Sequence, residues 1–387
     1  MAKLPAGVVA LGFVSLFMDI SSEMIHGLLP VFLVGTLGVS VAVLGLIEGI
    51  SEATASVTKL FSGLLSDRMG RRKPLAVLGY ALSALTKPLF AMAGGAGAVA
   101  TARFADRVGK GIRGAPRDAL IADLVPEPQR GAAYGLRQSL DTVGAVIGPV
   151  LAMVLMVMFA GNVRLVFWLA IIPAAIAVAV LVIYVREPEA TAHRNHKSVV
   201  RFADIGQFGR GFWGVVLIAS MMTLARFSEA FLIIRATDEG LPLALAPLVL
   251  VVMNVIYSAS AWPSGALSDR IGKTGLLQIG FVMLVLADLV LAFASGLSAV
   301  LIGVALWGLH MGMTQGLLSA QVASVAPVHL RATAFGVFNL ITGLVLLAAN
   351  VLAGGLWAAY GAQSTFLAGA AFASMGVLGL GWIRRQR

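Results

Sequence analysis

Asp19, Glu23 and His26 lie in the stretch FMDISSEMIHGLLP (17–30), with apolar sequence on both sides. Spacings of four and three put all three on one face of a helix. A second acidic pair, Glu48 and Glu52, is again four apart, and Lys59 follows seven residues on. Arg137 and Asp141 repeat the four-residue spacing. The densest run is RFADRVGKGIRGAPRD, which holds Arg103, Asp106, Arg107, Lys110, Arg113, Arg117 and Asp118. Carboxyl groups beside basic side chains stay ionised, whereas those held away from them keep a proton more readily. A carboxyl that gains and loses a proton as its surroundings change is what proton coupling needs, and ionisable groups inside apolar spans point to such relays. Two other chemistries stay open for the same residues. Permanent ion pairs would fix the fold, although desolvating so many charges is a poor route to stability. Asp19, Glu23 and His26 would also suit a transition metal, which carboxylate and imidazole ligate well.

The elements that must carry these residues follow from composition. Of 387 residues, 59% are hydrophobic and 12% charged, and the mean hydropathy is +0.93. Soluble domains carry about 25% charged residues, so most of this surface must face lipid. The apolar runs are about 20 residues long, enough to cross a hydrocarbon core of about 30 Å. Twelve are predicted, at roughly 6–36, 41–65, 74–93, 97–123, 131–159, 163–184, 212–236, 243–267, 275–295, 298–324, 333–357 and 362–383, an all-α membrane protein. The net charge of +10 does not point to nucleic acid. Its residues gather in short links, DRMGRRKP (67–74), DRIGK (269–273) and RRQR (384–387), which is the positive-inside pattern. Both termini are therefore expected in the cytoplasm, with the chain in a bacterial cytoplasmic (inner) membrane. No cleavable signal is expected, since the first run is too long and no small-residue cleavage site follows. The absence of cysteine removes disulfides and thiolate metal sites, and no cofactor is expected.

The chain repeats. GLLSDRMGRR begins at Gly63 and GALSDRIGKT at Gly265, an offset of 202; Arg130 of VPEPQRGAAYG and Arg331 of VAPVHLRATAFG are offset by 201. A duplicated six-helix unit is the plan of many secondary transporters. The expected domains are 1–185, a cytoplasmic linker at 186–211, and 212–387. In the first motif Gly63 permits close helix approach. Asp67 can pair with Arg68, Arg71 or Arg72 and a neighbouring helix end around Gly70, as a latch that holds one conformation. Asp269 and Arg270 hold the corresponding places in the second copy.

This motif set resembles the major facilitator superfamily over nearly the whole chain. The resemblance implies two bundles of six helices related by a pseudo-twofold axis, rocking about a central site lined by segments 1, 4, 7 and 10. Segment 5 also resembles the family's antiporter motif: Gly135, Gly144 and Gly148-Pro149 stand at its spacing, and Ala152-Met153 replaces its closing pair of glycines. The resemblance implies export by antiport. Arg103 corresponds to the arginine that opens the family's helix-4 motif, linked there to proton transfer; Asp106-Arg107 replaces the usual Gln-Gly. The expected function is a proton-coupled antiporter exporting a small organic solute. A metal or metal-chelate exporter and a proton-driven importer stay open. The proton-coupling candidates are Asp19, Glu23, Glu48, Glu52, Arg103, Asp106, Arg107, Arg137 and Asp141. Candidate substrate contacts are His26 and, in the second half, Arg226, Glu229, Asn254, Tyr257, His310 and Gln315. The expected partners are a small-molecule substrate, protons and lipid, with the chain a monomer. A membrane enzyme fits poorly, since no H-E-x-x-H, G-x-S-x-G or cysteine nucleophile is present.

Overall fold

A computed structural model describes residues 4–69, 71–187, 206, 208–326 and 331–385. Helices, with short turns between them, make up the described residues, and no strand is found among them. Eleven helical spans are long and apolar enough to cross a membrane. Their bounds follow the apolar runs closely. The one predicted crossing outside that set is the fourth, whose charges lower its hydropathy although it runs 29 residues, about 44 Å at 1.5 Å per residue.

The helices fall into two compact units. The first comprises Met1–Leu33 and Thr54–Val199; the second comprises Val34–Ala53 and Val200–Arg387. The first unit begins with α1 (Ala6–His26) and the single turn α2 (Leu29–Val31). α3 (Val41–Met69) supplies residues to both units. Then come α4 (Lys73–Met92), α5 (Ala96–Leu124), α6 (Arg130–Met158), α7 (Val163–Leu169) and α8 (Ile171–Tyr184). The second unit continues with α9 (Arg210–Ala225), α10 (Ala230–Asp238), α11 (Leu248–Ile271), α12 (Lys273–Ala292), α13 (Leu297–Val325), α14 (Arg331–Tyr360) and α15 (Ala362–Arg385).

The repeat read from sequence is visible in the elements. α4 and α12 are each 20 residues long, and α5 and α13 are each 29. The first crossing of each unit is broken at a matching place. α1 stops at His26, where Gly27 and Leu28 leave the helix before α2 and a π-helical stretch, Phe32–Thr36. α9 stops at Ala225, and the chain resumes as α10 after the four residues 226–229. Such breaks leave backbone groups without helical partners, so the surrounding protein must supply them. Between α11 and α12 the turn is a single residue, Gly272, at φ +80°. That value favours glycine.

Candidate transport site

In the first unit α1 lies along α6 at positions where α6 has no side chain. A methyl carbon built on Gly144 would stand 2.8 Å from the Leu16 carbonyl oxygen and 3.0 Å from Asp19 Cβ. One built on Gly148 would stand 2.8 Å from Glu23 Cβ and 2.8 Å from the Ile20 carbonyl oxygen. These two glycines therefore seat the acidic face of α1. Pro149, next in the chain, is buried within α6. Beyond its own stretch of helix, Gly135 has nothing within 4 Å of the same test position, so packing does not explain it. Asp19, Glu23 and His26 are half-buried, and His26 Nδ1 lies 3.5 Å from Glu23 Oε2. On α6, Arg137 Nη1 donates to Asp141 Oδ2 at 2.6 Å. Asp141, Arg113, Lys110 and Glu23 are the charges whose fields reach Asp19. Among the described residues no group of three histidines and carboxylates is placed to hold a metal ion.

α4 and α5 cross at glycines. A methyl on Gly79 would meet the Gly109 carbonyl oxygen at 2.7 Å, and one on Gly109 would meet Ser83 Oγ at 2.7 Å. This close approach buries Arg103, Asp106, Arg107 and Arg113 of α5. Lys110, in the same run, is exposed. Asp106 is joined by a residue from outside the charged run. Lys87 Nζ on α4, 1% exposed, donates to Asp106 Oδ1 at 3.0 Å and to Ser22 Oγ on α1 at 3.3 Å. Thr86 Oγ1 adds a second contact to the same carboxylate, at 3.3 Å. A lone lysine in the apolar run LSALTKPLF was the available signal. The Arg113 guanidinium lies over the Tyr80 ring, 4.6 Å from its centroid. Arg117 pairs with Asp118 at 3.0 Å and donates to Ser15 Oγ at 3.2 Å.

The basic link after α3 makes contacts of its own. Arg72 donates from Nη1 to Ser66 Oγ at 2.9 Å and from Nε to Asp123 Oδ2 at 3.5 Å. Its backbone N–H donates to Glu187. Asp123 and Glu187 were not foreseen as partners. Gly63 lets α3 approach α5, its test methyl lying 3.3 Å from Ala115 Cβ. Arg68, Arg71 and Arg270 are exposed. Gly70 and the side chains of Asp67 and Asp269 lie outside the described residues.

Glu48 and Glu52 were grouped from sequence with the acids of the first half. The structure packs them in the second unit. The cause is again glycine. A methyl on Gly45 would meet the Asn350 carbonyl oxygen at 2.4 Å, and one on Gly49 would meet the Leu347 carbonyl oxygen at 3.0 Å, so this part of α3 lies against α14. Glu48 is buried. Its Oε2 accepts from Ser228 Oγ at 3.2 Å, and Ser228 N–H donates to Asn350 Oδ1 at 2.7 Å. Glu52 is half-buried. Arg226 and Glu229 are the first and last residues of the break between α9 and α10, and the fields of Glu229 and Tyr257 reach Arg226. Asn254, Tyr257 and Gln315 are half-buried. His310 is fully buried, and its Nδ1 lies 2.8 Å from the Gly280 carbonyl oxygen, inside the α12–α13 packing.

The profile of the major facilitator superfamily matches residues 11–350. The chain belongs to the major facilitator superfamily. It is 31% identical over 380 residues to MJ1317, an uncharacterised MFS-type transporter of Methanocaldococcus jannaschii, covering 96% of this chain and 93% of that protein. It is 25% identical to the inner membrane transport protein YajR of Escherichia coli, over 87% of this chain and 74% of that one. It is 22% identical to the multidrug resistance protein MdtL of Klebsiella pneumoniae, over 83% and 79% respectively. The fold is similar to that of the nucleoside transporter NupG, with a TM-score of 0.81 at 14% identity over 97% of this chain and 98% of that one. It is also similar to the human organic anion transporter MFSD10, with a TM-score of 0.72 at 18% identity over 98% and 100%. The protein is thus a secondary transporter, a multi-pass membrane protein that takes a small-molecule substrate.

Proposed function

We propose that this superfamily member is a proton-coupled antiporter that exports a small organic solute by rocker-switch alternating access. The observation that carries the reading is the seat of α1 on α6. Gly144 and Gly148, two positions of the antiporter-like motif, are the places where Asp19 and Glu23 press against α6. A motif that resembles those of exporters and a pair of acids inside an apolar span therefore occupy one interface. Asp19 and Glu23 carry the proton. Arg103, Arg107 and the Arg137–Asp141 pair modulate them or meet an anionic part of the substrate. Lys87 and Asp106 lock α4 to α5 behind them. The printed names of relatives, multidrug resistance proteins among them, support export of organic compounds. The name of the E. coli relative and the basic links support an inner membrane with cytoplasmic termini.

The test is pH-gradient-driven flux in proteoliposomes, with a substrate first found by ligand-dependent thermal shift. Asp19→Asn and Glu23→Gln keep side-chain size but cannot carry a proton. Each is expected to abolish or strongly reduce driven flux, with substrate binding retained in at least one. Wild-type flux in both variants removes α1 from coupling. If His26→Ala is as damaging as either acid change, and Mn²⁺, Zn²⁺ or Ni²⁺ stabilises only the wild type, the cargo is a metal.

A further inference from the structure

One buried, repeat-related position carries a lysine in the first unit and an aspartate in the second. Lys87 on α4 and Asp288 on α12 are 201 residues apart, the spacing at which α5 and α13 begin. Lys87 reaches Ser22, near the break that follows α1. Asp288 points to the matching break in the second unit. A methyl carbon built on Gly369 of α15 would lie 2.6 Å from Asp288 Oδ2 and 3.1 Å from the Ala225 carbonyl oxygen. The carboxyl and that carbonyl therefore flank one point beneath Gly369.

Ala225 is the last residue of α9. Arg226 N–H closes on the Met222 carbonyl at 2.9 Å, and Ser228 N–H is spent on Asn350. The helical ladder ends there, and the last-turn carbonyls lose their usual donors. Asp288 is 0% exposed, and neither of its oxygens has a hydrogen-bond partner among the described residues. Two acceptors thus lie beside the same point, and no hydrogen bond reaches either Asp288 oxygen. A carboxylate would be isolated there, whereas a carboxylic acid has one O–H to give.

None of the titratable groups on the surrounding elements makes a hydrogen bond to Asp288 among the described residues. His310 of α13 is held at Gly280. Arg235 of α10 donates to the Leu291 and Ala294 carbonyls and to Glu239. Arg226 has Glu229 and Tyr257 as its neighbours. α15 adds only hydroxyls near this level, and Thr365 Oγ1 donates to the Ala353 carbonyl. A hard metal cation would need more oxygens than one carboxyl and one carbonyl supply.

We propose that Asp288 is a proton-binding site of the second unit, carrying its proton in this conformation and donating it to the Ala225 carbonyl. Opening of the α9–α10 break lets the proton pass to water and leaves a carboxylate. This site goes beyond the coupling proposed for Asp19 and Glu23 and does not rest on it.

Infrared difference spectroscopy of the purified full chain in H₂O and D₂O tests it. The wild type at neutral pH should show a protonated-carboxyl stretch that shifts in D₂O. Asp288→Asn should lose that band and remain folded, since the amide donates to the same carbonyl. Asp19→Asn and Glu23→Gln should keep it, so failure of coupling through α1 and failure of this site read out separately. An unchanged band in folded Asp288→Asn overturns the proposal. If that variant does not fold, Gly369→Ala serves instead: its methyl displaces Oδ2 and should shift the band, and an unchanged band again overturns the proposal. A melting temperature raised by NaCl over choline chloride in wild type, and not in Asp288→Asn, would make the ligand sodium and also overturn it.

Discussion

At the residue scale, four cations stand around one buried carboxylate. Asp106 pairs directly with Lys87 and lies in the fields of Arg107, Arg113 and Arg103. Removing the single acid leaves several desolvated cations uncompensated, whereas removing Lys87 leaves the acid with its arginines. Breaking a buried pair costs about 3–5 kcal/mol when a charge is stranded. Asp106→Asn is therefore expected to lose about that much and to melt well below wild type in detergent. Lys87→Met should lose distinctly less. Equal losses would show that the arginines do not compensate Asp106. The acids and arginines of this cluster were legible from the sequence as charges in apolar runs. Their pairing was not, because a residue's spacing gives its face and not the helix opposite. Asp106 was grouped with the arginines of its own helix, and its closest cation came from α4.

At the element scale, the glycines of α6 are not equivalent. Gly148 admits no Cβ without moving Glu23 or Ile20, while Gly135 meets open space. Gly148→Leu should force α1 and α6 apart, cost about 1–3 kcal/mol as overpacking does, and reduce coupled export. Gly135→Ala should do neither. Wild-type export and melting in Gly148→Leu would make the motif resemblance incidental. A second element, the end of α10, has a pH signature. The Glu239 carboxylate accepts the Gly296 N–H at 2.6 Å and the Arg235 guanidinium at 2.7 Å. The backbone N–H, with the arginine's help, holds its carboxyl below the ordinary glutamate value of 4.5. A depressed folded-state value stabilises above the unfolded value and is lost as pH falls through the folded one. Glu239→Gln should thus melt below wild type at pH 7, with the gap closing below about pH 4.5. A gap that persists in acid would assign the loss to packing.

For the whole molecule, the repeat supplies the comparison. The motif after α3 and its weaker copy in α11 stand 202 residues apart, and the second ends in Lys273-Thr274 where the first has two arginines. If the first copy is the latch, Asp67→Asn should impair transport with the protein folded and inserted, and Asp269→Asn should do less harm. Flux in proteoliposomes of matched protein content measures both. Equal loss at the two positions, or none at Asp67, counts against an asymmetric latch.

The sequence by itself determined the twelve crossings, the repeat, the family resemblance and which segments carry charge. Those properties are written in local composition: an apolar run long enough to span lipid has few alternatives, and a duplicated motif keeps its offset. Only the tertiary structure decided which charges meet. Glu48 lies two turns along a helix that looked wholly N-terminal, yet Gly45 and Gly49 bring it to α14 and to Ser228. Lys87 and Asp288 are single charges in runs that otherwise read as plain membrane helix. Lys87 takes its place from Asp106 and from Ser22 near the break after α1, and Asp288 from the Ala225 carbonyl at the break after α9. A break of that kind is a property of packing, since the helices around it must supply the partners that the helical ladder no longer does.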